Sequence, residues 1–131
     1  MTVSRPPRSG EGLALAQEAV KLALDKKASD PVLLDLRELE AVSDYFVIVS
    51  AASEVQVKAI ADHVEDSLRE TRGLKPWHVE GREGRHWMLL DYIDVVVHVF
   101  GEEERAYYDL ERLWRDAPRL DWQEPDAASS G

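Results

Sequence analysis

Two carboxylates flank a tyrosine inside the stretch Trp87 to Phe100, at Asp91-Tyr92-Ile93-Asp94. Paired acids around a turn are raw material for a magnesium site in phosphoryl transfer, given a third ligand and a phosphate-bearing substrate. An aspartate in a turn more commonly bonds its own backbone, and that reading is the better founded here. His98 lies between valines in a run that reads as a strand, which favours a hydrogen-bonded sheet histidine over a general base. His63, His78, His86 and His98 have no ligand-like spacing, and the chain has no cysteine, so neither a zinc site nor a disulfide is expected. No Walker loop, no Gly-x-Ser-x-Gly elbow and no Gly-x-Gly-x-x-Gly fingerprint occurs. Nothing assembles a nucleophile, a base and an oxyanion hole. No catalytic, cofactor-binding or metal-ligating residue is therefore assigned, and the chain reads as a non-enzyme.

The elements that must hold these residues follow from local patterns. Met88-Leu89-Leu90 and Val95-Val96-Val97 are two apolar runs separated by the acidic turn, which predicts a hairpin with apolar side chains on both faces. Ile93 stands in that turn where a glycine would be easier. Leu13, Ala16, Val20, Ala23 and Leu24 form one helical stripe over residues 13–27, and Asp30-Pro31 is expected to stop that helix. Residues 32–36 and 44–50 read as strands, the second apolar enough to be central. Ser53 to Arg72 reads as the best helix, with Val57, Ile60, Ala61, Val64 and Leu68 inward. Ser53 with Gln56 fits a capping box, and Gly73 fits a left-handed closing residue. A short strand at Trp77 to Glu80 and a closing helix over residues 102–116 complete the order, that helix turning Ala106, Tyr107, Leu110, Leu113 and Trp114 inward. The fold class is α/β, an α+β arrangement with a mixed sheet of about five strands flanked by helices.

A chain of 131 residues suits one core. Residues 1–12 read as a disordered leader, 13–117 as a single domain and 118–131 as a flexible tail. No apolar run approaches membrane-spanning length and no signal peptide is visible, so a soluble cytoplasmic protein is expected. The net charge of −10, from 26 acids against 16 bases, disfavours direct nucleic-acid binding and favours a basic protein partner, although acidity also serves solubility.

Three segments in order resemble the ribosomal silencing factors, also called the Iojap family. They are Ser43-Asp44-Tyr45-Phe46-Val47-Ile48 with Gln56-Val57-Lys58-Ala59-Ile60-Ala61, then Trp87 to Tyr92 running into Asp94 to Phe100, then Arg105-Ala106-Tyr107-Tyr108-Asp109-Leu110-Glu111-Arg112-Leu113-Trp114. The resemblance covers residues 13–117. It implies a fold similar to the nucleotidyltransferases without their activity. The chain fits that, because Ser50-Ala51-Ala52-Ser53 stands where a transferase would show Gly-Ser and then paired aspartates. It departs from the family's usual glycines at Ala51-Ala52 and at Ile93. The resemblance further implies a translational repressor that needs no cofactor. Such a repressor binds a protein on the intersubunit face of the large ribosomal subunit and sterically blocks the small subunit. Some members form homodimers, so a homodimer stays open.

The contact is expected around the hairpin, with Trp77, Trp87, Leu90 and Tyr92 as its core and Asp91 and Asp94 pairing with lysines or arginines at its rim. For Trp87 and Leu90 a place in the protein's own core is an equal alternative. Two other functions stay open: a metal-dependent nucleotidyl or phosphoryl transferase using Asp91 and Asp94, and a dimeric interaction module unrelated to ribosomes.

Overall fold

The structure is a computed structural model and describes residues 11–123. Most of the expected leader, residues 1–10, and the end of the expected tail, residues 124–131, lie outside the described residues. Helix α1 (Glu11–Asp25) buries Leu15, Ala16, Ala19, Val20 and Ala23, while Leu13 and Leu24 of the expected stripe are only partly buried. It ends earlier than the sequence predicts. Lys27 adopts a left-handed φ of 67° and closes the helix, and Asp30-Pro31 instead lies within strand β1 (Ser29–Asp35), where the register slips between Ser29 and Val32.

Strand β2 (Tyr45–Ala51) feeds helix α2 (Glu54–Arg72), whose ends are both capped. Ser53 Oγ accepts from the Gln56 backbone N–H at 3.1 Å, and Gly73 takes a φ of 63°. The Gln56 side chain departs from a strict capping box. It accepts from the Ala52 N–H and donates to the carbonyls of Lys26 and Lys27, fastening α2 to the end of α1. Strands β3 (His78–Glu80), β4 (Trp87–Asp91) and β5 (Val95–Gly101) follow. Gly81, at a φ of 92°, turns the chain between β3 and β4; a Cβ there would run into the Trp87 carbonyl.

The closing helix is two helices, α3 (Glu102–Tyr108) and α4 (Leu110–Leu113), separated by Asp109 at a left-handed φ of 51°. With the axis broken, the expected inward stripe no longer shares one face. Ala106, Tyr107 and Leu113 are exposed, and Leu110 and Trp114 alone pack against the core. The expected tail adds a two-residue strand, β6 (Arg119–Leu120), on β1.

The sheet is mixed and has six strands, in the order β3-β4-β5-β2-β1-β6. Only the central β2–β5 pair is parallel. One face, bearing Leu33, Val47, Val49, Met88, Leu90, Val95, Val97 and Val99, is sealed by α1 and α2. The opposite face carries Leu34, Phe46, Ile48, Trp87 and Phe100 and is covered in part by Leu110, Trp114 and Ala117. β5 is buried on both faces as the sequence predicts, whereas β4 alternates and leaves Trp87, Leu89 and Asp91 half-buried.

Candidate partner interface

β4 and β5 pair antiparallel from Trp87 opposite Phe100 to Asp91 opposite Val96. The turn is closed by the Tyr92 N–H donating to the Val95 carbonyl at 2.8 Å. Asp91 Oδ1 accepts from the Ile93 N–H at 2.7 Å, an aspartate bonding its own backbone. Ile93 sits at a φ of 75°, the left-handed region that a β-branched residue resists. The Asp94 carbonyl accepts from the N–H groups of Asp44 and Tyr45, at 2.9 and 3.0 Å, which ties the turn to the start of β2.

The pleat divides the expected contact residues. Leu90 points with Met88 into the helix-covered face and is fully buried. Tyr92 folds back into the same core and is only 7% exposed. Among the described residues its hydroxyl has no hydrogen-bond partner, and burial, with Glu65 adding to it, pushes its titration above the usual tyrosine range. Leu90 therefore takes the core alternative open to it, and Tyr92 belongs to the same core, contrary to the expectation that it stands in a contact. A turn-tip tyrosine reads as surface from sequence, but this turn bends over the cleft between Leu15 of α1 and Leu74 beyond α2.

The other four reach the surface at two places. Trp77 is 74% exposed, and its N–H donates to the Asp91 carbonyl at 2.8 Å, so these two are joined at the sheet edge near Asp94. Beside Trp77 lies an open cleft of about 460 Å³ lined by Glu65, Arg69, Lys75, His78 and Arg82. Trp87 lies at the far end of β4, half-buried, its indole N–H donating to His98 Nδ1 at 3.1 Å. The indole stacks on Phe100 at 4.7 Å and meets Tyr108 at 4.8 Å. His98 is the hydrogen-bonded sheet histidine of the sequence reading. Burial lowers its pKa to about 3, so the ring is neutral, with its one proton on Nε2.

A crevice of about 260 Å³ opens at the carboxyl ends of the parallel strands β2 and β5, where open α/β sheets hold their ligands. Glu54, Glu102, Glu103 and Glu104 line it, and His86 Nδ1 stands 3.3 Å from Glu54 and 3.5 Å from Glu104. Four carboxylates there would repel a polyphosphate. Among the described residues no group of three or more His, Asp or Glu is placed to hold a metal ion.

Sequence reasoning missed the outward side chains of α3 and α4: Tyr107, Tyr108 and Leu113. The one local signal was Asp109, a residue type that tolerates the left-handed region and interrupts helices.

The profile of a family described as ribosomal silencing factor during starvation matches residues 9–131. The chain is 44% identical over 107 residues to "Ribosomal silencing factor RsfS" of Halalkalibacterium halodurans, covering 82% of this chain and 91% of that one. It is 27% identical over 97 residues to mouse "Mitochondrial assembly of ribosomal large subunit protein 1", covering 72% of this chain and 42% of the mouse protein. The fold superposes on the crystal structure of a Chromobacterium violaceum protein with a TM-score of 0.73 and 36% identity, over 76% of this chain and 82% of that one.

Proposed function

This chain belongs to the ribosomal silencing factor family, and we propose that it represses translation in the cytoplasm by docking on a basic protein of the large ribosomal subunit's intersubunit face, where it sterically excludes the small subunit. The observation that carries the reading is the family match over residues 9–131. The name of the mouse relative supports the choice of subunit. The charge of −10 supports a basic partner, since long-range attraction raises the rate of encounter with a positive surface. The carboxylates around the β2–β5 crevice support a non-catalytic role, because a phosphate-bearing substrate would meet repulsion there. Trp77 and Trp87 supply half-buried and exposed aromatic area for the contact, and Asp91 and Asp94 supply charge at its rim. Self-association through a homodimer is a second partner that this function admits.

The test is co-sedimentation of the purified chain with separated large and small subunits at low and moderate salt, with subunit joining followed in parallel. Binding to the large subunit alone, with joining reduced, is the expected result. Binding to neither subunit sinks the proposal. Asp94→Lys tests the rim: it should weaken large-subunit binding and flatten its salt dependence. Unchanged affinity at low salt would remove Asp94 from the contact.

A further inference from the structure

We propose that the outer edge of β3 is a self-pairing surface, on which a second copy of this chain adds its own β3 in antiparallel register about a twofold axis at Val79. This rests on the self-association that the proposed function admits and not on ribosome docking. β3 is a terminal strand of the sheet, and among the described residues no strand pairs with its outer side. The Trp77 N–H donates inward to the Asp91 carbonyl at 2.8 Å, so by alternation the N–H and carbonyl groups of His78 and Glu80 face outward. Such a row of unpaired backbone groups is a template for another strand. Away from the exposed corner where α3 meets α4, Trp77 is the largest apolar side chain in solvent, and it stands at the start of this edge.

The side chains of the edge complement a copy of themselves. Val79 packs against the helix-covered core, so Trp77 shares that face and His78 and Glu80 share the other. His78 Nε2 lies 2.8 Å from Glu80 Oε2, and both side chains are at least half exposed. With the axis at Val79, His78 of each copy stands opposite Glu80 of the other, so each imidazole keeps a carboxylate partner. An axis at Glu80 would set two carboxylates against each other, and one at His78 would set Glu80 against Pro76, which has no N–H. In the Val79 register Trp77 stands opposite Gly81 of the second copy, a glycine at a φ of 92°. An aromatic ring covers a glycine across a strand pair. An open cleft of about 460 Å³, between β3 and Glu65 and Arg69 of α2, leaves room for the indole.

Charge favours a second copy over the other occupants. Residues 75–85 hold Lys75, Arg82 and Arg85 against Glu80 and Glu83. The neighbouring turns of α2 add Arg69 against Glu65 and Asp66, with Arg69 paired to Asp66 and Arg82 to Glu65, each at 3.1 Å. The edge is therefore neutral in a chain of net charge −10, so two acidic copies meet there without the repulsion that opposes their approach elsewhere. A neutral edge offers an RNA backbone no cationic surplus and a basic protein no acidic field. Strand edges are commonly blunted by a lysine or a proline within the strand. Here Lys75 and Pro76 stand before β3 and leave its residues open. A paired Trp77 is covered by the second copy, so only the monomer offers it to a ribosome.

The test is sedimentation equilibrium of the full chain over a range of concentrations, with thermal melting as the check on folding. The parent should form a dimer. Trp77→Ala and His78→Glu should each weaken it by about tenfold at an unchanged melting temperature, because each substitution acts twice across the axis and the second sets carboxylates opposite one another. His78→Glu combined with Glu80→Lys restores opposite charges in the same register and should return the dimer to within about threefold of the parent. If His78→Glu melts early, Trp77→Ala carries the comparison. A parent that stays monomeric overturns the proposal. So does a dimer indifferent to both single variants, or one that the charge swap fails to restore. A Trp77→Ala chain that loses large-subunit affinity while the parent stays monomeric gives the edge to the ribosome and overturns the pairing. A parent that dimerises but binds neither subunit overturns the silencing function and leaves the edge standing.

Discussion

The two faces of the sheet are built from different chemistry. Under α1 and α2 the sheet presents mostly valine, leucine and methionine, with Tyr45 and Tyr92 at one end, and the helices answer with alanine, valine, isoleucine and leucine. The opposite face mixes Leu34 and Ile48 with Phe46, Trp87, His98 and Phe100 and is roofed by two short helices that leave Phe46 and Trp87 half-buried. Aliphatic side chains give area without polar atoms, so a closed face made mostly of them asks chiefly for shape. The indole and imidazole carry ring nitrogens that need partners, and they meet that need in part by pairing with one another, Trp87 N–H to His98 Nδ1. The closed face determines that the chain folds. The open one leaves part of its aromatic area half-buried.

The largest effect that separates the faces is on stability. Ile60→Ala, in the fully buried stripe of α2, should cost about 2–5 kcal/mol in chemical denaturation, because the lost methylenes leave a cavity between rigid layers. Leu113→Ala on the exposed corner should stay within about 0.5 kcal/mol of the parent. If Leu113→Ala proved as costly as Ile60→Ala, the corner would be part of the core, and the contrast between the faces would collapse.

The next effect is specific to the open face and depends on pH. His98 has its pKa lowered to about 3 by burial, against about 6.5 in an unfolded chain. The unfolded state therefore takes up its proton first, and stability falls as pH drops from about 6.5 towards 3. Between pH 7 and pH 4 the parent should lose about 3 kcal/mol more than His98→Leu, a variant with no such proton to bind. Parallel stability curves for the two proteins over that range would mean that His98 is hydrated or charged in the fold. Loss of the Trp87 N–H acceptor lowers the variant's stability at every pH, so the slopes carry the comparison.

The parts of this architecture that sequence revealed are those fixed by near neighbours. The hairpin, the central β2 and the capped α2 all announce themselves within a few residues, through apolar runs, Ser53 and Gly73. The parts it hid are set by distant ones. The break at Asp109 is secured by Arg105 reaching the Asp30 carbonyl, 75 residues away in sequence. The burial of Tyr92 depends on how the turn lies against α1 and the end of α2, which no local pattern encodes. The β6 pairing is two residues long, too short to show any periodicity. The candidate site divides on the same line: Trp77, Asp91 and Asp94 lie at the surface by local geometry, while Leu90 and Tyr92 were lost to the core and Tyr107 and Leu113 gained by tertiary contacts.

The smallest effect concerns the turn where the two faces meet. Ile93 holds a φ of 75° with its side chain 51% exposed, so it bears left-handed strain and recovers little from burial. The strain for a residue with a branched Cβ is about 1–2 kcal/mol, and a glycine would relieve it at an unfolded-state entropy cost of about 0.5–1 kcal/mol. Ile93→Gly should therefore raise stability by about 0.5–1 kcal/mol, read as a higher urea midpoint at unchanged slope. The Asp91 carboxylate would still accept the N–H of residue 93, so the turn itself should persist. A lower midpoint would mean that the isoleucine side chain packs more than its exposure indicates.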